Sequence, residues 1–221
     1  MSPESLRSRQ EPAPAHASEF GFAGERTGVA GTVHRYKQDE EIYAAGDAVA
    51  GMFKILSGWV RTCHFLLDGR RQINAFYGPG DVFGLEAEPK YSLSAEALCD
   101  CQIVSYRNKP ARPDSEIALL AIQGMHRAQR HALMLGRRSA AERVAAFLLE
   151  LATRSPQQDI FVPMRRHDIA DYLGLTTETV SRILTQLDRE KVISLGTARH
   201  VVIRSPRKIE ALAMGELDLV A

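Results

Sequence analysis

Between residues 33 and 106 the apolar positions come in short runs cut by glycine. Met52-Phe53-Lys54-Ile55-Leu56, Trp59-Val60-Arg61-Thr62, Gln72-Ile73-Asn74-Ala75-Phe76-Tyr77 and Gln102-Ile103-Val104-Ser105-Tyr106 are four such runs, with Gly46, Gly51, Gly58, Gly69, Gly78, Gly80 and Gly84 between and around them. Runs of this length between turn residues predict an all-β barrel or jelly-roll unit. Asp68-Gly69 predicts a tight hairpin, and Gly78-Pro79-Gly80-Asp81 a sharper turn.

After Pro110 and Pro113 the apolar period lengthens. Asp114-Ser115 offers a helix N-cap, Glu116 suits a first turn, and no proline follows before Arg138. Ile117, Ala121, Gly124, Ala128, His131 and Leu135 recur at spacings of 4, 3, 4, 3 and 4, a heptad-type seam. Small residues there would let two helices approach closely, which predicts a dimerisation helix over 114–138. The alternative is one helix lying on its own β-unit. Gly136 is a plausible hinge, and Ser139-x-x-Glu142 is a capping box ahead of the apolar run Val144–Leu149, placing a boundary near 136–139. Residues 1–30, rich in Pro, Ala, Ser, Gly and Glu without a sustained period, are expected to form a flexible arm.

The stretch Met164–Ser194 reads as a helix-turn-helix. A first helix is predicted from about Arg166 to Leu173, with Ala170 small where the helices touch and Gly174 in the tight turn. Ile169, Leu173, Leu175, Val180 and Ile183 would seal the two helices together. Thr176 or Thr177 would cap the second helix, which runs to about Lys191. Its exposed face opens with Thr177, Glu178, Ser181 and Arg182, where a recognition helix reaches base edges. Arg can donate two hydrogen bonds to guanine, Glu can accept from cytosine N4, Ser bonds either way, and a Thr methyl can touch thymine. The competing account of Glu178 and Arg182 is a solvated i,i+4 ion pair; the helix-turn-helix setting favours base readout. Two short strands around Gly196 predict a wing. Arg165, Arg166, His167, Thr176, Thr179 and Arg199 are candidates for phosphate contacts, which position a protein without reading sequence.

Composition narrows the classes. In 221 residues there are 28 Lys/Arg against 27 Asp/Glu, which excludes nucleic-acid binding by bulk charge. Residues 139–208 hold 11 Lys/Arg and 8 Asp/Glu (+3), whereas the remainder holds 17 and 19 (−2), the sign that phosphate contact requires. No apolar run approaches the ~18–20 residues of a bilayer span, and no secretory leader is visible, so no membrane association is expected. Three cysteines, Cys63, Cys99 and Cys101, make no disulfide framework and fit a reducing cytoplasm. The seven histidines form no His-x-His pair of the kind a jelly-roll metalloenzyme needs, and no catalytic triad, phosphate loop or paired carboxylate constellation stands out, so no enzyme is expected.

A glycine-punctuated β-roll, a long helix and a winged helix-turn-helix in this order resemble the CRP/FNR family of bacterial transcription regulators, over nearly the whole chain from about residue 33. Glu178-Thr179-Val180-Ser181-Arg182 resembles the Glu-x-x-Ser-Arg readout motif of the FNR branch, and Gly69–Ile73 and Gly80–Glu86 look FixK-like. The resemblance implies an α+β fold: arm 1–30, β-roll (jelly-roll) sensor-type domain 31–113, dimerisation helix 114–138 and winged helix-turn-helix domain 139–221. It implies a homodimer on double-stranded DNA at a two-fold TTGAT-N4-ATCAA type site, with Arg182 on guanine, Glu178 on cytosine and Ser181 beside a thymine. It also implies contact with RNA polymerase through β-roll loops, and control of microaerobic respiration and nitrogen-fixation genes.

Departures from relatives bear on the signal. Cyclic-nucleotide-binding members carry Arg-Ser-Ala, whose arginine pairs with the cyclic phosphate; this chain has Leu93-Ser94-Ala95, although Glu86 is retained. Iron–sulfur members use N-terminal cysteines, and none precedes Cys63 here. Cys99 and Cys101 are expected as small buried residues on one face of a strand, and Cys63-His64 alone is a weak haem signal. The expectation is a regulator with no cofactor, active without a small-molecule effector. The alternative is a family member gated by a ligand other than a cyclic nucleotide in the β-roll.

Overall fold

The computed structural model describes residues 31–106, 115–154, 159–196 and 199–219. The expected arm over 1–30, the Pro110–Pro113 linker and the Asp114 cap lie outside those residues. The first module is built from β1 (Thr32–Tyr36), β2 (Glu41–Tyr43), β3 (Met52–Ser57), β4 (Val60–Phe65), β5 (Arg71–Tyr77), β6 (Val82–Phe83), β7 (Ser94–Ala97) and β8 (Cys101–Tyr106). They form two four-stranded antiparallel sheets, in the orders β1-β8-β3-β6 and β2-β7-β4-β5. Asp68-Gly69 closes the β4–β5 hairpin, where Gly69 takes φ +82° and its N–H donates to Leu66 O. In the sharper turn, Asp81 N–H donates to Gly78 O, and the Asp81 carboxylate accepts from Gly78 N–H at 2.8 Å.

The roll's interior is filled with aromatic rings. Tyr43 stacks on Tyr91 at 3.7 Å between centroids, and Phe53 and Phe83 continue the pile. The Tyr91 hydroxyl donates to Gly51 O and accepts from Ala50 N–H, so its polar end is satisfied inside the roll.

α1 (Ser115–Leu135) follows, then α2 (Ala140–Ala152), β9 (Asp159–Phe161), α3 (Arg166–Leu173), α4 (Thr177–Arg189), β10 (Ile193–Leu195), β11 (His200–Ile203) and α5 (Pro206–Met214). No helix among the described residues is long and apolar enough to cross a membrane. The expected capping box at α2 is present in both directions: Ser139 Oγ accepts from Glu142 N–H, and the Glu142 carboxylate accepts from Ser139 N–H. The wing sheet has three strands, ordered β10-β11-β9, where the sequence suggested two. β9 is only three residues long and follows α2 too closely to show a period of its own.

The seam expected on α1 divides. Ala121, Gly124 and Ala128 are exposed, and Ile117 and Leu135 are half-buried. His131 departs from the expectation, because it is buried within its own chain. Its ring stacks on Tyr172 at 3.9 Å and 2°, and Nε2 lies 2.7 Å from Tyr172 O. Small residues dominate the heptad positions, whereas the helix turns Met134 and His131 onto the second module. It leaves larger apolar side chains, Leu119, Ile122, Met125 and Leu133, in solvent.

One core crosses the boundary between the modules. Phe76 of β5 meets Tyr172 of α3 at 4.9 Å and Phe147 of α2 at 6.2 Å, and Phe147 meets Tyr172 at 5.8 Å. Beside it, Arg127 of α1 donates to Phe76 O, lies over the Tyr77 ring and pairs with Asp81. Arg154 pairs with the other oxygen of the same carboxylate at 2.6 Å.

Tyr172→Ala removes a ring shared by three elements and should lower stability by ~3–5 kcal/mol in urea denaturation. Burial pushes the Asp81 carboxyl pKa up, but Arg127 and Arg154 outweigh it and hold the group below the ordinary carboxylate range. A carboxyl lowered on folding stabilises above its unfolded pKa, and that contribution disappears as pH falls through its folded value. Wild type should therefore lose more thermal stability than Asp81→Asn between about pH 6 and about pH 3; parallel melting curves would refute this.

Candidate DNA interface

The turn between α3 and α4 is set by Gly174, which takes the left-handed conformation at φ +62°, ψ +42°, and donates its N–H to Ala170 O. An L side chain there would be strained. Leu175 N–H also donates to Ala170 O. Thr176, of the two candidates, is the cap: its hydroxyl accepts from Thr179 N–H at 3.2 Å. The helices touch where expected. Ile169, Ala170, Leu173, Val180 and Ile183 are buried, and Leu175 is half-buried at the edge. Leu184 and Leu187 complete the inner face of α4. The helix ends at Arg189, two residues short of the expectation, and Lys191 follows with φ +56°.

That arrangement leaves the opposite face of α4 outward. Thr177, Glu178 and Arg182 are exposed, and Ser181 is half-buried between them. Among the described residues no ion pair joins Glu178 to Arg182, so the solvated-pair alternative is not realised. Both keep their hydrogen-bonding groups available. Two further positions continue the face, Thr185 and Arg189, at helical spacings of three and seven from Arg182. The same periodicity that picked out 178 and 182 reaches them. They lie beyond the first turns, which recognition helices use most. The Thr185 hydroxyl donates back to Ser181 O at 2.9 Å.

The phosphate candidates fall into distinct settings. Arg166 is half-buried at the start of α3 and meets no partner among the described residues; burial alone holds its pKa below the ordinary arginine range. A desolvated guanidinium without an anion is costly, so this group is suited to receive one. Arg165 is exposed but tied to Asp39 of the β-roll at 3.0 Å. His167 lies 3.4 Å from Asp168. Thr176 and Thr179 bond to one another through their hydroxyls at 3.0 Å. Arg199, half-buried beside the wing, accepts from Val162 N–H through its carbonyl.

Asp168 and Asp171, which no sequence motif singles out, anchor α3 to the roll. Asp168 is fully buried and accepts from Arg61 Nη1 at 2.9 Å and Arg71 Nη2 at 2.7 Å. No local pattern in the sequence could pair residues about 100 positions apart.

In the roll, Leu93 is half-buried, and the retained Glu86 accepts from both the backbone N–H and the hydroxyl of Ser92. Cys63 is buried, its thiol pushed up to about 11 by that burial. Cys101 is buried as expected, but Cys99 is half-exposed in the turn before β8, not on a strand face. The Cys101 thiol lowers the Cys99 pKa to about 7 by hydrogen bonding, against desolvation, with a smaller contribution from the Arg199 charge.

Comparison with known proteins agrees with this architecture. Residues 142–212 match the Crp-like helix-turn-helix domain, and residues 33–111 match the cyclic nucleotide-binding domain. The nitrogen fixation regulation protein FixK of Rhizobium meliloti is 42% identical over 182 residues, covering 81% of this chain and 86% of that protein. Its namesake in Azorhizobium caulinodans is 40% identical over 196 residues, covering 82% and 79%. The structure of FixK2 from Bradyrhizobium japonicum superposes with a TM-score of 0.77 at 41% identity, covering 83% of this chain and 97% of that one. The two FixK proteins of Rhizobium meliloti and Azorhizobium caulinodans are nitrogen fixation regulation proteins. The chain belongs to the CRP/FNR family of DNA-binding transcription regulators, and within it to the FixK-like group.

Proposed function

We propose that the chain acts in the cytoplasm as a homodimeric activator that reads a TTGAT-N4-ATCAA type site and needs no small-molecule effector. The observation that carries this reading is the outward face of α4. Thr177, Glu178, Ser181 and Arg182 lie on one side of a helix whose other side is sealed in the core, and Glu178 and Arg182 are not spent on each other. Arg182 suits guanine O6 and N7, Glu178 suits cytosine N4, and Ser181 and Thr177 suit a neighbouring thymine. Arg166, half-buried and without a partner among the described residues, supports a phosphate contact beside them. Arg165, His167, Thr176, Thr179 and Arg199 are proposed as further phosphate contacts, Arg165 exchanging Asp39 for phosphate.

Dimerisation is proposed along the outer side of α1, with Ile117, Ala121, Gly124, Ala128 and Leu135 joined by Ile122 and Met125. Exposed apolar side chains on a free helix favour a partner helix, and a two-fold site requires two recognition helices about one duplex turn apart. RNA polymerase contact is proposed for the roll's surface loops, and the gene set is that of the FixK relatives, nitrogen fixation and microaerobic respiration. The domain limits 31–113, 114–138 and 139–221 are kept in this reading. Effector independence is supported by the aromatic stack that fills the roll and by Leu93 where cyclic-nucleotide binders place an arginine.

Arg182→Ala should cost ~1–3 kcal/mol at the matched site and relax choice at the guanine position, read by selection from random duplexes. Arg166→Ala should weaken matched and scrambled duplexes alike and lower the slope of log affinity against log salt by ~1. Identical behaviour of the two variants would defeat the sorting into base and phosphate contacts. Purified chain without added cofactor should bind the palindromic duplex with submicromolar affinity at moderate salt; binding that appears only after a small molecule or metal is added would sink effector independence.

A further inference from the structure

The two modules are joined at α3 by a buried cluster of charges. Arg61 and Arg71 come from adjacent strands of the roll, β4 and β5. The Arg61 side chain is 7% exposed and that of Asp168 1%. One oxygen of Asp168 accepts from both guanidiniums, at 2.9 and 2.7 Å, and its other oxygen accepts from Arg165 N–H at 3.0 Å. Arg71 also donates through Nε and Nη2 to Asp171 at 3.0 and 2.9 Å. Glu96 of β7 braces Arg61 at 2.7 Å, and Gln72 Nε2 donates to Asp171 O at 3.3 Å. Asp39 stands 3.5 Å from Arg61 and 3.0 Å from Arg165.

A purely apolar contact would attach α3 to the roll just as firmly but would tolerate sliding and rotation. Paired guanidinium and carboxylate groups do not, since each bond has a direction and a buried charge left unpaired is costly. The cluster therefore specifies an angle as well as an attachment. That angle reaches the DNA-reading side chains without slack. α3 and α4 are sealed by Ile169, Ala170, Leu173, Val180 and Ile183, while the roll is tied to α1 by Arg127 bonded to Phe76 O and Asp81. We propose that Arg61 and Arg71, with Asp168 and Asp171, are positioning residues that fix the orientation of the recognition helix relative to the dimer helix and so set the spacer length the regulator accepts between half-sites. None of the four lies on the outward face of α4, and the assignment rests on the homodimer and half-site reading given above.

A dimer held at one angle should be intolerant of spacing, because one extra base pair rotates the second half-site by roughly 35° and moves it by about 3.4 Å. The test compares wild type with Arg71→Gln, Asp171→Asn and Arg61→Gln by fluorescence anisotropy at moderate salt. Five duplexes are used: paired half-sites with spacers of three, four and five base pairs, a single half-site, and a scrambled sequence. Wild type should lose about 100-fold in affinity when the spacer departs from its preferred length, as if one protomer's base contacts were gone. In the variants that penalty should fall below about 10-fold, while single half-site affinity stays within about threefold of wild type. Asp171→Asn and Arg71→Gln leave Asp168 paired with Arg61 and its bond to Arg165 N–H intact, so they remain informative if Arg61→Gln fails to fold. Hydrogen exchange gives a readout without DNA: amides 169–173 should exchange roughly tenfold faster in variants with wild-type circular dichroism. Unchanged spacer discrimination in folded variants overturns the positioning role alone. A single half-site affinity that falls in step with the paired-site affinity overturns it as well, because the damage would then lie in α4 itself. If wild type cannot tell a half-site from scrambled duplex, the base-reading face falls, and this proposal falls with it.

Discussion

The close crossing of α3 and α4 is the constraint on which everything else depends. Ala170 is 2% exposed at the contact, and Gly174 supplies a backbone conformation that a side chain resists. Only with a small residue in the first place and a left-handed turn in the second can Val180, Ile183, Leu184 and Leu187 all leave water. Their burial contributes on the order of 10 kcal/mol before chain entropy is counted. That is ample to hold a 13-residue helix, which alone would be marginal in water. Because the apolar side of α4 is committed inward, the polar side has no freedom to turn away. The outward polar face is thus a consequence of packing, and its chemistry could vary without disturbing the fold.

The β-roll carries, besides its own core, the junction with the second module. Its interior holds stacked Tyr43, Phe53, Phe83 and Tyr91. Its outer surface carries the contacts that matter to the second module: Phe76 packed on Tyr172 and Phe147, and Arg61 and Arg71 on Asp168 and Asp171. The apolar part of that junction provides attachment. The ionic part provides direction, at a desolvation cost that only fully satisfied bonds can offset. Asp168 meets that condition on both oxygens, while exposed pairs such as Lys37–Asp100, with side chains 82% and 67% accessible, contribute little to stability.

Much of this was legible in the sequence wherever the signal was local. The helix-turn-helix announced itself through Ala170, Gly174 and the apolar spacing, and the structure ends α3 at Leu173 as the spacing predicts. The Ser139–Glu142 box and the Asp68-Gly69 hairpin are likewise contained within four residues each. Illegible were features decided by distant partners. His131 satisfies a heptad count, yet a coplanar ring 41 residues away takes it out of the seam. β9 becomes a strand only because β11 pairs with it. Asp168 sits among polar residues at a helix start, where an acidic side chain is expected on local grounds alone. Nothing nearby indicates that two arginines from the other module will bury it.

The charge distribution explains how a nearly neutral chain can still act on DNA. Of the cations in the second module, Arg143 is spent on Arg137 O and Leu173 O, Arg154 on Asp81, and Arg165 on Asp39. Arg166, Arg182 and Arg189 are in no ion pair among the described residues. A molecule of net charge +1 gains little from long-range attraction to duplex DNA, so random sequence holds it weakly. On the proposed readout, discrimination is carried by a small number of short-range donors and acceptors, and each of these counts only if α4 enters the groove at the right angle. Sparse charge therefore makes orientation the limiting quantity. In the positioning role proposed above, orientation is set at α3, by side chains that lie off the outward face of α4.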